Sequence, residues 1–399
     1  MKKRILFYKL KKQLKHKNAL VIVGMRQVGK TTLMKELFKE VPNAKKLWFD
    51  LDNPLDQKIF ENDDYESVYE ILSQRARITN KKERLYLFID EIQNFPEITK
   101  VIKFLIDHYG VKFVVTGSSA FYLKNLFPES LSGRKFLYQL DPLDFQEFLY
   151  FRDFISLKEA KEKSVEQAVG KNINYVSFKK REVEYEEYLN FGGFPEVVLT
   201  KDVDTKKEVL KNVFASFFEK DLLLLSDFTS IKELRDLILL LVPRVGSRID
   251  ISKLASELGI NRPKIYSYLE FLQAVFFIKF LPKFSKGIDK SVAGGRKVYF
   301  KDTGILNIIG NVNDAQLLEN AVVNQFSQYG ETSFYNKKNI NEIDVILDKK
   351  DGFEIKTTGT SSDEKRLQKV AESIQLKEAF IVSKNFRDDL KNIIYPQFL

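Results

Sequence analysis

A chain of 399 residues, 44% of them apolar, is long enough for two or three domains with buried cores. The absence of cysteine excludes disulfides and thiolate metal sites, and the only two histidines, His16 and His108, are too far apart in sequence to suggest a histidine-based zinc site. The net charge of +10 is local: residues 1–35 carry eleven Lys or Arg and no Asp or Glu, which leaves 54 basic and 55 acidic side chains elsewhere. No apolar run approaches the ~18 residues of a membrane span. The charged start also lacks the apolar core of a secretion signal, so the expectation is a soluble, cytoplasmic protein.

The first segment sets Ile5, Tyr8, Leu10 and Leu14 between lysines, a pattern that predicts an amphipathic helix. Two uses fit it. One is a basic face for nucleic-acid phosphates or an anionic membrane surface. The other is a solvated face on a helix packed against the following core.

Ala19-Leu20-Val21-Ile22-Val23 then reads as a buried parallel strand. It leads into Gly24-Met25-Arg26-Gln27-Val28-Gly29-Lys30-Thr31, which fits G-x-x-x-x-G-K-[ST], the phosphate loop of nucleotide-binding proteins. Thr32 to Phe38 follows with apolar residues at helical spacing. Strand, glycine loop and helix form the context this motif requires. The loop N–H groups and the helix N-terminus would face the phosphates of ATP. Lys30 would reach the β- and γ-phosphates, and the Thr31 hydroxyl would hold Mg²⁺. The expected nucleotide contacts are Gly24, Arg26, Gln27, Val28, Gly29, Lys30, Thr31 and Thr32.

A second strand, Lys46 to Asp52, ends in carboxylates, and residues 64–79 read as helical. Leu85-Tyr86-Leu87-Phe88-Ile89-Asp90-Glu91 is a buried strand ending in two acids. Asp90 would orient Mg²⁺ or its waters, and Glu91 would polarise the attacking water. Val111 to Thr116 is a further strand, followed by Gly117-Ser118-Ser119. Ser118 there would touch the γ-phosphate or the attacking water, or else cap the next helix. In Leu131-Ser132-Gly133-Arg134, the arginine would stabilise charge on the transferred phosphoryl, in cis or from a neighbouring subunit, or would simply pair with an acid.

With Arg26-Gln27 inside the loop, Ile89-Asp90-Glu91-Ile92-Gln93, Thr116-Gly117-Ser118-Ser119, Leu131-Ser132-Gly133-Arg134 and the exit Asp141-Pro142-Leu143-Asp144-Phe145-Gln146-Glu147-Phe148, the chain resembles a large group of archaeal and bacterial AAA-type ATPases. The resemblance covers most of the chain. It implies an α/β fold class: a P-loop NTPase core with a parallel sheet over residues 1–150, a helical segment over 151–240, a winged helix over 241–310 and an α/β restriction-endonuclease-like domain over 311–399.

Within the middle, residues 156–190 read as exposed helices and connections, and Phe191-Gly192-Gly193-Phe194-Pro195-Glu196 as a turn for close backbone packing. Residues 205–227 and 231–242 read as amphipathic helices, the second stopped by Pro243. Ile251–Leu258, Gly259 and Arg262–Leu272 have helix–glycine turn–helix spacing, and Val275–Leu281 would form a wing strand. Arg262, Lys264, Tyr266, Ser267 and Tyr268 are candidates for DNA phosphates or bases, with a protein partner as the alternative occupant of that surface. The loop of residues 283–297 is basic and glycine-bearing: either a phosphate contact or a flexible connection.

Near the C-terminus, Asp344 and the pair Glu354, Lys356 are spaced D-x9-E-x-K, which resembles the PD-(D/E)XK nuclease core. That resemblance implies Mg²⁺ held by Asp344 and Glu354, with Glu319 as a further acid and Lys356 beside the attacking water. A five-residue hairpin loop would pair Leu347 with Phe353 and set Asp344 opposite Lys356 and diagonal to Glu354, all on one face. Residues 363–375 read as a helix and 379–383 as a strand. The expectation for the whole is an ATPase that couples nucleotide state to a DNA-directed domain with a candidate Mg²⁺ nuclease site. The alternative is an ATP-switched protein-interaction module whose nuclease-like domain is inactive.

Overall fold

The computed structural model describes residues 2–42, 45–80, 83–117, 131, 133–170, 173–221, 231–285, 295–337 and 341–399. Its chain divides into two compact units, Met1–Asp141 with Ala274–Phe276, and Pro142–Gln273 with Phe277–Leu399. Among the described residues, no helix is long and apolar enough to cross a membrane.

The first unit runs α1 (Ile5–Gln13), β1 (Ala19–Val23), α2 (Lys30–Lys39), β2 (Lys46–Asp50), α3 (Pro54–Gln57), α4 (Tyr65–Arg75), β3 (Tyr86–Asp90), α5 (Ile98–Tyr109), β4 (Lys112–Gly117) and β5 (Lys135–Gln139). Its five strands lie in the order β2-β3-β4-β1-β5, and every pairing is parallel. β1 and β4 are buried along their whole length, as expected of strands covered by helices on both faces. This is the P-loop NTPase core. Because the strands are parallel, their carboxyl ends meet at one edge, where open α/β sheets bind ligands.

The amphipathic α1 belongs to this core. Phe7, Leu10 and Leu14 are buried. Lys3 and Lys11 reach the Glu40 carboxylate at 3.1 and 2.6 Å. Arg4 is buried and donates to the carbonyls of Val28 (3.0 Å) and Asp141 (2.9 Å). The apolar side of α1 is packed against this core, while Lys9, Lys12, Lys15 and Lys17 remain exposed. Lys112, at the start of β4, is fully buried, and its ammonium donates to the carbonyls of Gln13, His16 and Asn18. Burial, and then the nearby Arg84 guanidinium, draw its pKa down to about 7. Against that pull, three carbonyl acceptors match the three donors of the charged form.

In the second unit come α6 (Phe145–Phe151), α7 (Leu157–Lys161), α8 (Tyr175–Phe191), α9 (Pro195–Leu199), α10 (Val203–Ser216), α11 (Ile231–Leu241), α12 (Ile251–Leu258) and α13 (Arg262–Ala274). The helix expected to reach residue 227 ends earlier: α10 passes into a π-helical turn over Phe217–Asp221. Residues 222–230 lie outside the described set. Gly192 ends α8 at φ 71°, and a Cβ on Gly193 would overlap the Leu143 carbonyl oxygen. The buried Asp302 accepts from Gly193 N (2.7 Å) and Ile305 N (3.0 Å), so the glycine turn is a structural joint.

Gly259, in the left-handed region at φ 66°, separates α12 from α13. β6 (Ile278–Pro282) and β7 (Arg296–Phe300) form an antiparallel pair, and the 245–249 segment bonds to β7 through Gly246 N–Val298 O (3.1 Å) and Ile249 N–Arg296 O (3.0 Å). After α14 (Thr303–Ile309) and α15 (Asp314–Phe326) come β8 (Thr332–Lys337), β9 (Asn341–Leu347), β10 (Asp351–Lys356), α16 (Ser361–Ser373), β11 (Glu378–Ser383) and β12 (Ile393–Ile394). They build a mixed sheet in the order β12-β11-β10-β9-β8. Ile343, Ile346, Leu367, Val370, Ile381 and Phe178 belong to the apolar core on one side of it.

The β9–β10 hairpin corrects one expectation. Leu347 pairs with Asp351 and Val345 with Phe353, so the loop is Asp348-Lys349-Lys350 and not five residues. Asp348 and Lys349 sit at φ 50° and 60°, the left-handed turn that closes so short a loop. The regular β9–β10 register ends at the Val345–Phe353 pair, where β9 bulges against β8 between its pairings with Ser333 and Tyr335, so simple alternation does not carry on to Asp344. Ile355 N donates to the Asp344 carboxylate instead.

Candidate functional site

The phosphate loop leaves the carboxyl end of β1 through left-handed backbone at Gln27 (φ 62°) and Gly29 (φ 95°), the latter capping α2. Such conformations turn successive N–H groups toward one point and make an anion-binding concavity. Gln27 has a Cβ, so its φ is an uncommon conformation held by the surrounding loop. Gly24 is required for a different reason. A Cβ there would overlap the carbonyl oxygen of Leu140 and lie 3.1 Å from its carbonyl carbon. Leu140 N in turn donates to Val23 O at 2.7 Å, so the chain leaving β5 presses on the loop's first residue. Lys30 is buried and its Nζ donates to the carbonyls of Gly24 (2.8 Å) and Met25 (2.7 Å). Val28 is wholly buried, Arg26 is half-buried, and Gln27 and Thr32 are exposed.

Asp90, at the end of β3, is buried and hydrogen-bonds the hydroxyls of Thr116 and Thr31. Burial raises its pKa above the ordinary carboxylate value, against these two donors and with a further push from Glu91 and Asp50. The next residue, Glu91, stands at φ 54°, a left-handed conformation outside glycine. Its N–H donates to Thr116 Oγ1 at 3.3 Å, and its carboxylate accepts from Gln93 Nε2. The loop and the strand-end acids are therefore brought together through Thr31 and Asp90. Thr116 links the two acids, and Gln93 holds Glu91. In the sequence Thr116 shows only as a polar end to a buried strand, and Gln93 only as the last residue of the family-like stretch Ile89–Gln93, with no role attached.

Two other candidates fare differently. Ser118 lies outside the described residues. Arg134 is not near the loop: its carbonyl accepts from Ala19 N at 2.8 Å, and Lys135 pairs with Ala19 at the opposite end of β1. At ~3.3 Å per residue, the strand puts it roughly 15 Å from Gly24. Its guanidinium pairs with Asp107 at 2.6 Å, which raises its pKa. The cis role for Arg134 is corrected on that geometry, and the arginine–acid pair is what the structure has.

The C-terminal carboxylates also depart from expectation. Glu319 (α15), Glu342 and Asp344 (both β9) converge on a lysine, with Lys297 Nζ at 3.4, 2.8 and 3.7 Å from them. Tyr299 donates to Glu319 at 2.7 Å, and Ile355 N donates to Asp344 Oδ2 at 2.8 Å. Burial and then Asp344 raise Glu319 to about 7, while Lys297 and Tyr299 pull it back. Burial alone would lower Lys297, but the surrounding carboxylates hold it above its ordinary value. Glu354 is buried and paired to Lys356 at 3.0 Å and to Arg366. Among the described residues, no group of three His, Cys, Asp or Glu side chains is placed to hold a metal ion. The expected Mg²⁺ set of Glu319, Asp344 and Glu354 is thus corrected: cations from the protein stand among its members. Lys297 was read only as part of a basic loop, and its partners come from elements remote in sequence.

On the helix–turn–helix, Lys264 and Tyr268 both bind Glu233, each at 2.6 Å. Arg262, Tyr266 and Ser267 are exposed. In the basic loop, Lys286 and Lys290 lie outside the described residues.

Residues 16–149 match a family model described as an AAA domain, and residues 182–316 match a domain of unknown function (DUF8612). The uncharacterized protein MJ1544 of Methanocaldococcus jannaschii is 30% identical over 336 residues, 82% of this chain and 71% of that protein. An uncharacterized protein of Haemophilus influenzae is 26% identical over 347 residues, 83% of this chain and 80% of its own. Among solved structures, the Thermotoga maritima RuvB Holliday junction branch migration motor aligns at 16% identity over 69% of this chain and 89% of its own. Its TM-score of 0.28 is too low for the likeness to bear on the fold.

Proposed function

The chain belongs to the same protein family as MJ1544 of Methanocaldococcus jannaschii and carries an AAA domain, and on that premise we propose that it binds and hydrolyses ATP with Mg²⁺ and passes the nucleotide state to a DNA-directed C-terminal unit. The observation that carries this reading is the hydrogen bond from Thr31 in the phosphate loop to Asp90 at the end of β3. That bond brings together the phosphate-binding and acidic halves of an ATPase site at the carboxyl edge of a parallel sheet.

Mg²⁺ fits this donor set. A hydroxyl and a carboxylate are hard oxygen ligands already directed at one another, as the ion prefers. When bound, the ion neutralises charge on the β- and γ-phosphates. The backbone N–H groups from Arg26 to Thr31 bind the phosphates, and Thr32 extends the helix N-terminus beneath them. Lys30 exchanges its carbonyl partners for phosphate oxygens. Glu91 accepts a proton from the attacking water, with Thr116 fixing its backbone and Gln93 its carboxylate. Arg134, a strand's length away, acts on a nucleotide only if that nucleotide is bound by a second copy of the chain.

For the second unit, we read residues 151–240 as a helical segment, 241–310 as a winged helix and 311–399 as a restriction-endonuclease-like domain. Arg262, Tyr266 and Ser267, exposed on one helix, support a phosphate-contacting face. A second reading, an ATP-switched module that binds protein through this unit, draws support from Lys264 and Tyr268, both committed to Glu233.

One set of assays tests both: ATP turnover by the full chain with and without DNA, beside Lys30→Ala. Loss of turnover in the variant and stimulation by DNA are expected. Full turnover in Lys30→Ala sinks the ATPase reading. Turnover indifferent to DNA, together with DNA affinity that is undetectable at low salt, favours the protein partner, because phosphate contacts weaken steeply as salt rises.

A further inference from the structure

The carboxylates that would hold a metal in the C-terminal domain are arranged around a different cation. Lys297 belongs to β7, yet its side chain is only 5% exposed and ends among acids from α15 and β9. Three carboxylates lie within 3.7 Å of its single nitrogen. The backbone supports this placement. Residues 245–249 bond to β7 around it, and Gly246, at φ 75°, lies so close that a Cβ there would meet both Glu319 oxygens at 2.8 Å. The remaining expected ligand, Glu354, is already charge-compensated by Lys356 and Arg366.

Access is not what separates this cluster from solvent ions. A cavity of about 610 Å³, lined by Gly246, Arg248, Asp250, Lys297, Asn336 and Glu342 among others, opens beside the lysine. Glu342 itself is 44% exposed. A hydrated divalent ion has a route to the acids. What it meets there is an ammonium already balancing their charge.

We propose that Lys297 is the resident cation of this acid cluster, standing where a nuclease-like fold would carry Mg²⁺, so that the domain takes up no divalent ion there and does not cut nucleic acid. The lysine supplies the positive charge that keeps Glu319, Glu342 and Asp344 together. It is covalently part of the chain, so it cannot be exchanged, and an ammonium donates hydrogen bonds but has no open coordination position for a water. Removing the side chain takes from three carboxylates of two elements the cation that balances their charge, beside a cavity that admits a hydrated Mn²⁺ or Mg²⁺. The inference is independent of ATP hydrolysis, and its test contains no nucleotide.

The test is Mn²⁺ binding to the full chain, followed by the loss of the free-ion electron paramagnetic resonance signal. The wild type, Lys297→Ala, Lys297→Gln and each of these three carrying Asp344→Asn are compared. The wild type should bind no Mn²⁺ that Asp344→Asn removes. Lys297→Ala or Lys297→Gln should gain a site that the added Asp344→Asn abolishes. Wild-type binding that depends on Asp344 overturns the proposal, and so does a folded Lys297 variant that gains no site. The wild-type measurement decides even if neither lysine variant folds.

Discussion

Alanine at Gly24 should destabilise the nucleotide unit about twice as much as alanine at Gly29, although the two glycines close the same loop. At Gly29 nothing lies within 4 Å of an added Cβ, so the cost is the left-handed backbone alone, roughly 1–2 kcal/mol. At Gly24 the Cβ would overlap the Leu140 carbonyl. Relief needs a shift of about 1 Å in packed backbone, which costs ~1–3 kcal/mol by overpacking. It also loosens the 2.7 Å bond from Leu140 N to Val23 O, a further cost of about 1 kcal/mol. The expected penalty at Gly24 is therefore ~2–4 kcal/mol. For a unit of this size that lowers the melting temperature by roughly 10 °C, against roughly 5 °C for Gly29→Ala. The sole tryptophan, Trp48, lies in β2 against Phe38 and Phe88, so its fluorescence follows this unit. Equal melting temperatures for the two variants, or a Gly24→Ala protein that melts like wild type, would refute the steric account.

Three further outcomes are expected. Glu91→Gln should keep nucleotide binding while slowing hydrolysis by ~10²–10⁴-fold, the range for loss of a positioned general base; filter binding and phosphate release measured together check it. Lys112→Met should cost about 2–4 kcal/mol, because three carbonyls, at the end of α1 and in the connection to β1, lose their buried donor; urea unfolding followed by Trp48 reads it. Asp302, raised by burial from its ordinary 3.8 to about 6, holds its proton more tightly folded than unfolded. Its contribution is therefore full below pH ~4 and is lost as the pH rises through ~6, on the order of 3 kcal/mol. Asp302→Asn should remove that component from the pH dependence of unfolding, and an unchanged slope would count against it.

What sequence disclosed is what local order encodes. The phosphate loop is contiguous, its strand and helix flank it directly, and Asp90 ends an apolar run, so each element could be read without knowing its neighbours. Gly259 marks the turn between two helices for the same reason. The β9–β10 hairpin was legible as a hairpin but not in detail: its turn depends on Asp348 and Lys349 accepting a left-handed backbone, and β9 bulges before it reaches Asp344. The unread features join distant segments. Leu140 explains Gly24 across 116 residues, and Lys297 meets Glu319, Glu342 and Asp344 only after β7 has been laid beside the last sheet. Arg134 followed a suggestive serine–glycine turn, but only the strand register shows that it belongs to the far end of β1.

The Arg4 guanidinium holds the carbonyls of Val28 and Asp141 at once. One of these sits in the middle of the phosphate loop; the other is the last residue of the first unit before Pro142. Neither can move relative to the other without stretching a bond to the same planar group. The phosphate loop and the last residue of the first unit thus share one tether, laid by Arg4 among the first residues of the chain. Trimming those first residues would cut that tether while leaving every nucleotide-contacting side chain intact.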